Sequence, residues 1–229
     1  MTVPAVAFVR ERLEALADPA RAAQMQAYLK TTQPMLGVSR PAQKPVWRDL
    51  KRAFVPADRA EWEATVRALW AEPEREMQYA AIDYAEGFRR REFLDPTVVP
   101  LLEQMVVEGA WWDLVDEIAS HLVGAVVASH REVMRPVLEG WITHEHLWLR
   151  RTAVLAQLRH KGDTDTAMLF DFCLRCAPET SFWMRKAIGW ALRQHAHHDP
   201  EAVRRFLEAH GDALSGLSRR EASKHLGAK

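Results

Sequence analysis

Apolar residues recur three and four positions apart along most of the chain, and this spacing gathers them on one face of an α-helix. The segments "REVMRPVLEGWI" at 131–142 and "EAVRRFLEAH" at 201–210 are clear examples. Alternating apolar and polar runs are rare, and no Asn-Gly or Asp-Gly pair joins two such runs as a hairpin turn would. The pattern therefore predicts an all-α protein.

Four helical segments share one register, and they begin at Glu76, Trp112, Trp148 and Trp183. The successive starts are 36, 36 and 35 residues apart, and another helical stretch precedes each segment, as at 95–108. A two-helix unit of this length is typical of helical-repeat solenoids, in which neighbouring units bury a continuous core. The sequence therefore predicts a single repeat domain over residues 1–229, with the second helix of each unit on the concave face.

The register also identifies residues that depart from the repeat's own pattern. One column of the alignment reads Ala80, Asp116, Thr152 and Ala187. A single copy thus carries a carboxylate where the other three carry small residues. The preceding column places cations in the last two copies, at Arg151 and Lys186. Charges that interrupt an otherwise small or apolar repeat position indicate a functional site more strongly than charges on an arbitrary surface.

Helical geometry divides the crowded stretch "AWWDLVDEI" at 110–118 into two pairs. Trp112 and Asp116 are four residues apart and share a face of the helix. Trp111 and Asp113 project elsewhere, so we interpret them as packing and helix-start residues. Trp112 and Asp116 are therefore the candidates for chemistry in this stretch.

Cations and a further indole occupy the corresponding helices of the later repeats. Trp148 and Arg151 are three residues apart, and Lys186, Trp190 and Arg193 follow one stripe at spacings of four and three. If the second helices pack side by side, these stripes meet across the concave face. The sequence then predicts one groove that holds indoles, a carboxylate and several cations.

Each of these residues also has a purely structural interpretation. A tryptophan in a helical repeat more often packs in the core, and a lone aspartate on a helix is usually solvated or a cap. Arg150 and Arg151 could pair with acidic side chains of an adjacent helix. Cys173 and Cys176 have the C-x-x-C spacing of a redox or zinc site, but no second pair and no preceding strand accompany them. We predict packed or partly exposed thiols there, and no cofactor or metal.

Composition and charge fit a protein that folds in water. The chain has 229 residues, of which 48% are hydrophobic and 27% charged, and its formal net charge is zero. Zero net charge argues weakly against nucleic acid as a partner. Residues 147–229, however, carry 14 basic and 9 acidic side chains, enough for a local phosphate-binding surface. The N-terminal stretch lacks the pattern of a signal peptide and no apolar run is long enough for a membrane span, so we expect a cytoplasmic location.

Six segments carry a resemblance to a known family: "MQAYLK" at 25–30, "LWAEPEREMQYAAIDY" at 69–84, "WWDLVD" at 111–116, "LWLRRTAVLAQL" at 147–158, "FWMRKAIGWALR" at 182–193 and "LSRREASKHL" at 217–226. Over roughly residues 5–225 the chain resembles the AlkD-like DNA alkylation repair enzymes, which are monofunctional DNA glycosylases built from HEAT-like repeats. The resemblance implies a C-shaped solenoid with a concave DNA-binding groove.

The resemblance also implies an activity, the excision of N3- and N7-alkylated purines from duplex DNA, and assigns residues to it. The catalytic residues would be Trp112, Asp116 and Trp190. The DNA contacts would come from Tyr28, Arg151, Arg159, Lys186 and Arg193. Trp183 stands where an aliphatic or phenyl side chain would serve as well, and we interpret it as a packing or DNA-backbone contact. We expect a monomer.

Two other functions are compatible with a helical-repeat sequence. One is a non-catalytic HEAT-like protein that recognises DNA structure, and the other is a protein–protein scaffold. The complete trio of Trp112, Asp116 and Trp190 distinguishes the glycosylase from the first, since a binding protein has no need of it. A scaffold does not predict a carboxylate flanked by indoles opposite cations. No lysine lies beside Asp116, so the sequence has no β-elimination signature.

Overall fold

The computed structural model describes residues 4–87 and 93–227. Within these ranges every regular element is a helix and no strand occurs, which confirms the all-α prediction. None of these described helices is both long and apolar enough to cross a lipid bilayer. The chain divides into two compact units, Met1–Leu94 and Asp95–Lys229, each considered by itself below.

The first unit is built of the helices α1 (Pro4–Glu14), α2 (Pro19–Leu29), α3 (Arg40–Ala53), α4 (Arg59–Trp70) and α5 (Arg75–Glu86). Helix α4 packs along α5, and α1 packs against α3, α4 and α5. Apolar side chains at helical spacing fill the space between them, among them Leu13, Leu50 and Trp62, which are fully buried. The predicted helix pair that ends with the segment from Glu76 is present as α4 and α5.

The second unit is built of α6 (Val99–Glu108), α7 (Trp112–Glu117), α8 (Gly124–Ser129), α9 (Arg131–Ile142), α10 (Leu147–Leu155), α11 (Thr166–Arg175), α12 (Phe182–Ala196), α13 (Pro200–His210) and α14 (Gly216–Ala222). Helix α10 packs against α9 and α12, while α12 also packs against α11, α13 and α14. The second helices of three aligned repeat units, α7, α10 and α12, are thus neighbours in the fold, since α10 contacts both of the others.

Aspartates fix the starts of several helices in this unit. The side chain of Asp165 accepts a hydrogen bond from the backbone N–H of Met168, and that of Asp199 accepts one from Ala202. Each bond satisfies a first-turn amide that has no partner within the helix, which is worth about 1 kcal/mol. The chain therefore begins α11 and α13 at defined residues, and this sets the start of the helices that pack on α12.

Helices α7 and α8 are joined without a break by a π-helical turn, Ile118–Val123. At the far end of the turn, Gly124 lies against α10: a Cβ atom there would come within 2.5 Å of the backbone oxygen of Ala156. His160 adds a contact, since its Nε2 lies 2.8 Å from the Gly124 carbonyl oxygen. The absence of a side chain at Gly124 therefore sets how closely this continuous helix approaches α10.

We expect Gly124→Ala to lower the free energy of unfolding by about 1–3 kcal/mol, because the added methyl group meets backbone that cannot rotate away. Gly140, in the exposed last turn of α9, is the matched control, since a Cβ there meets no atom within 4 Å. Gly140→Ala should raise the free energy of unfolding by about 0.5–1 kcal/mol. Urea titrations of both variants measure the difference, and equal effects would refute the close-approach argument.

The two cysteines lie on and just after α11, and both are buried and free. Burial raises the pKa of the Cys176 thiol to about 12 and raises that of Cys173 as well. A thiol is the nucleophile and metal ligand only when ionised. Of the two predicted alternatives, packed or partly exposed, the structure shows packed thiols.

Candidate active site

A buried ion pair joins α7 to α10 in the second unit. Arg151 donates from Nε to Oδ1 of Asp116 at 2.7 Å and from Nη2 to Oδ2 at 2.8 Å. The side chain of Arg151 is 4% exposed and that of Asp116 14%. Two parallel charge-assisted bonds fix both the position and the plane of the carboxylate. The two charged residues that depart from neighbouring columns of the repeat alignment, Asp116 and Arg151, thus form one ion pair.

The third nitrogen of the same guanidinium is also engaged. Nη1 of Arg151 donates to the backbone carbonyl of Trp183, in the first turn of α12. Arg151 therefore connects α10 to α12 as well as to α7. The carboxylate of Asp116 is held by a side chain whose own orientation depends on all three helices.

Burial dominates the electrostatics of Asp116. Loss of solvent raises the pKa of its carboxyl group above the ordinary value, and the neighbouring charges of Asp113 and Glu117 add to this. The two hydrogen bonds from Arg151 and its positive charge act in the opposite direction. A buried carboxylate with so few solvent contacts is costly unless it is paired. Arg151 therefore supports the charged form of Asp116.

Four tryptophans pack together beside Arg151 of this ion pair, and Trp183 is the common member of their contacts. Its ring centroid lies 5.3 Å from that of Trp111, 6.5 Å from that of Trp112 and 5.8 Å from that of Trp148. Trp112 and Trp183 are nearly parallel, at an interplanar angle of 15°. The guanidinium carbon of Arg151 lies 6.0 Å from the Trp148 ring centroid. These tryptophans, Trp111, Trp112, Trp148 and Trp183, are called the indole cluster below.

The indole cluster was only partly anticipated by sequence reasoning. The sequence assigns Trp112 to the site and predicts a packing role for Trp111 and a packing or DNA-backbone contact for Trp183. All three lie in one cluster, so packing and site are not separate here. The sequence does carry a signal for this cluster. The tryptophans at the head of the second helix in three repeat units, Trp112, Trp148 and Trp183, occupy one register position, and stacked repeats bring equivalent positions side by side.

Trp190 lies farther along α12, partly exposed and outside the indole cluster within the described residues. It follows Trp183 by seven residues, which is close to two helical turns, so the two indoles share one side of α12 at a rise of roughly 10 Å. The structure thus brings Asp116 and Arg151 together, with Trp112 one turn before Asp116 on α7, and places Trp190 on the same face of α12 as Trp183.

The cations of the Lys186–Trp190–Arg193 stripe are held by a carboxylate of α14. Nζ of Lys186 lies 3.0 Å from Oε1 of Glu221, and Arg193 bonds to the other oxygen of that carboxylate. Lys224 donates to Oε1 at 2.7 Å. Gly189 permits this close packing, since a Cβ there would lie 2.5 Å from the Cβ of Glu221. Their assignment to DNA stays a prediction, and Glu221 was not anticipated from the sequence.

The pKa of Glu221 falls from 4.5 to about 2, because Lys224 and Lys186 donate hydrogen bonds to the charged form. A carboxylate whose pKa is lower in the folded state stabilises the fold above its unfolded pKa, and the contribution is lost as the pH falls toward the folded pKa. We expect Glu221→Gln to lower the free energy of unfolding at pH 6 by about 1–3 kcal/mol, allowing for the solvent exposure of the lysines. The difference in the free energy of unfolding between the variant and the wild type should disappear as the pH falls from 4.5 to 2. Urea titrations across this range measure it, and a gap independent of pH would contradict the assignment.

The remaining two predicted DNA contacts lie on exposed surfaces. Arg159 follows α10, and its Nη1 lies 2.9 Å from Nε2 of His121, which in turn lies 3.4 Å from Glu117. Tyr28 belongs to the first unit, near the end of α2, and is 75% exposed. Both side chains are exposed, and their role in binding DNA stays a prediction.

Comparison with known proteins gives one family. The family model described as DNA alkylation repair enzyme matches residues 9–226. A solved structure titled as a predicted DNA alkylation repair enzyme from Enterococcus faecalis is similar to this chain with a TM-score of 0.84 at 30% identity. The match covers 93% of this chain and 98% of that one. No curated protein matches the chain.

Proposed function

The chain belongs to the DNA alkylation repair enzyme family, and from this premise we propose that it is a monofunctional DNA glycosylase. It hydrolyses the N-glycosidic bond of cationic N3- and N7-alkylated purines in duplex DNA. The observation that carries the proposal is the carboxylate of Asp116, nearly buried and fixed by Arg151, whose guanidinium also lies beside the indole cluster at Trp148 and Trp183. A protein that only binds DNA has no need of such a group.

The chemistry of the lesion matches a fixed carboxylate. Alkylation at N3 or N7 gives the purine a positive charge and weakens its bond to the sugar. When the base departs, the sugar becomes an oxocarbenium-like cation, which a nearby carboxylate stabilises as in glycoside hydrolysis. Asp116 supplies that charge and positions the attacking water as a hydrogen-bond acceptor. The base leaves as a neutral molecule, so the reaction calls for no general acid.

The indoles bind the charged nucleotide and its sugar. An aromatic face attracts a cation by about 0.5–2 kcal/mol, most strongly where water is excluded. Trp112 lies one turn before Asp116 on α7, and Trp190 lies on the same face of α12 as Trp183. We assign both to contacts with the lesion nucleotide. The positive charge on the sugar forms only during bond cleavage. Contacts that stabilise it therefore lower the activation barrier and not only the dissociation constant.

The cations give affinity for the phosphate backbone. Arg159, Lys186 and Arg193 are partly or fully exposed and belong to the basic half of the chain. Phosphate contacts of this kind release counterions, so binding should weaken as the salt concentration rises. Arg151 is buried with its guanidinium engaged, so we assign it to the support of Asp116, through which it acts on the DNA. Tyr28 is assigned to a DNA contact from the first unit.

A non-catalytic DNA-binding protein is the second candidate. The observation that favours it is the bidentate pair itself, because Arg151 already neutralises the charge of Asp116. In an enzyme the carboxylate must still act on a cationic sugar while it is paired. The two candidates therefore differ in whether base is released, and not in whether DNA binds.

The test is the release of free base from a synthetic duplex that carries one N7-methylguanine. We expect the purified protein to release N7-methylguanine from this duplex and no uracil from an otherwise identical duplex, because uracil is a neutral base with a stable glycosidic bond. Liquid chromatography of the released bases measures both. A protein that binds the duplex and releases no base would favour the DNA-binding candidate. Equal release of both bases would contradict the role of the lesion's charge.

A further inference from the structure

Trp183 lies in the first turn of α12 and contacts indoles from two other helices. It packs edge-on against Trp111 and nearly parallel to Trp112, both at the start of α7. It also packs against Trp148 of α10. Each contact falls in the range of centroid distances, 4.5–7 Å, in which aromatic pairs are favourable. The plane of Trp112 therefore depends on the ring of Trp183.

The backbone of the same residue reaches the ion pair. The carbonyl oxygen of Trp183 accepts a hydrogen bond from Arg151, whose other donors hold both oxygens of Asp116. A carbonyl in the first turn of a helix moves with that turn, and the ring packed among three indoles holds the turn in place. Side chain and backbone of one residue thus set the orientation of both Trp112 and Arg151.

We propose that Trp183 is a positioning residue for base release, fixing the plane of Trp112 through its ring and the guanidinium of Arg151 through its carbonyl. The inference rests on the proposed glycosylase function. Trp183 acts through these two residues and need not touch the reacting atoms. A phenyl ring retains a flat face against Trp112, whereas a methyl group leaves the first turn of α12 without its anchor.

The test compares Trp183→Ala with Trp183→Phe. Single-turnover release of N7-methylguanine, with protein in excess, gives the rate, and binding of an undamaged duplex of the same length gives the affinity. We expect Trp183→Ala to lower the rate by about 10²-fold, the cost of misplacing a reacting group by about 1 Å. The affinity should stay unchanged, and Trp183→Phe should restore most of the rate. Phe170 of α11, whose ring centroid lies 4.3 Å from that of Phe206, is the control. Phe170→Ala should lower the melting temperature and leave the rate at 25 °C unchanged.

Three results would overturn the inference while leaving the proposed function in place. They are an unchanged rate in Trp183→Ala, equal losses of rate and affinity, and a Phe variant no faster than the Ala variant. If Trp183→Ala does not fold, Trp183→Leu replaces it, because leucine fills space without a flat ring. A Leu variant at least tenfold slower than the Phe variant supports the inference, and equal rates overturn it. A wild-type protein that releases no base overturns the proposed function and this inference together.

Discussion

Asp116→Asn is expected to lower the single-turnover rate of N7-methylguanine release by about 10²–10³-fold, the usual cost of removing one group that stabilises transition-state charge. Asparagine keeps the shape of the side chain and loses its negative charge. It also places an amide N–H₂ where Arg151 now finds an oxygen. Release of free base from an oligonucleotide duplex at 25 °C measures the effect, and binding of undamaged duplex checks that the variant still folds and engages DNA.

Glu117→Gln is the matched control for this variant. Glu117 is the next residue on α7, carries the same charge, and lies 3.4 Å from His121 rather than on Arg151. Loss of a negative charge at position 117 should leave the rate of base release close to that of the wild type. Full activity in Asp116→Asn would remove the carboxylate from the proposed mechanism, whatever the control does.

Arg151→Ala is expected to lower the free energy of unfolding by about 3–5 kcal/mol, because it leaves the Asp116 carboxylate buried without its partner. Arg150→Ala is the matched control, since Arg150 pairs bidentately with Glu179 but remains in part exposed to solvent. An exposed pair is worth about 0–1 kcal/mol, and Arg150 also donates to the backbone carbonyls of His144 and Glu145, so we expect a loss of about 1–2 kcal/mol, still smaller than that of Arg151→Ala. Urea titration of both variants at pH 7 measures the difference, and equal losses would show that burial of the Asp116 pair carries no special cost.

The same variant predicts a change in the pH profile of base release. Arg151 lowers the pKa of Asp116 against the effect of burial. Without Arg151 the carboxyl group should hold its proton to a higher pH, and the acidic limb of the rate profile should move to higher pH. The rate at the high-pH plateau should also fall, because Asp116 is no longer oriented. An acidic limb that stays in place would show that another group controls it.

The helices and the pairing of the helices could be predicted because apolar spacing and repeat length are local properties of the chain. Asp116 and Arg151 could be found because each departs from its own column of the repeat. Their partnership was only one of several open possibilities. Periodicity places a residue on a face of its helix, but it does not say which faces meet, and the two members of the pair are 35 residues apart.

Other parts of the site depend on contacts that leave no periodic mark. Glu221 binds cations of α12 from a helix whose sequence looks like an ordinary polar surface. The indole cluster depends on how closely α7, α10 and α12 approach one another. Small residues control such distances: Gly124 lies against the end of α10, and Gly189 lets α12 lie close to α14. In the sequence, a glycine within a helix indicates only a weak helix former. Its role in allowing a neighbouring helix to approach closely is apparent only from the packed structure.

The π-helical turn at Ile118–Val123 changes the rotational phase of the helix that contains it. Such a turn holds one residue more than an α-helical turn, and one residue corresponds to about 100° around the helix axis. Asp116 precedes the turn and points to Arg151, while Gly124 follows it and lies against Ala156. In this continuous helix the direction of the Asp116 carboxylate and the direction of Gly124 toward the end of α10 are therefore not fixed by one uninterrupted α-helical spacing. Deleting one residue from this turn would rotate Gly124 by about 100° relative to Asp116, so that both contacts could not form together, although every residue of the site would still be present.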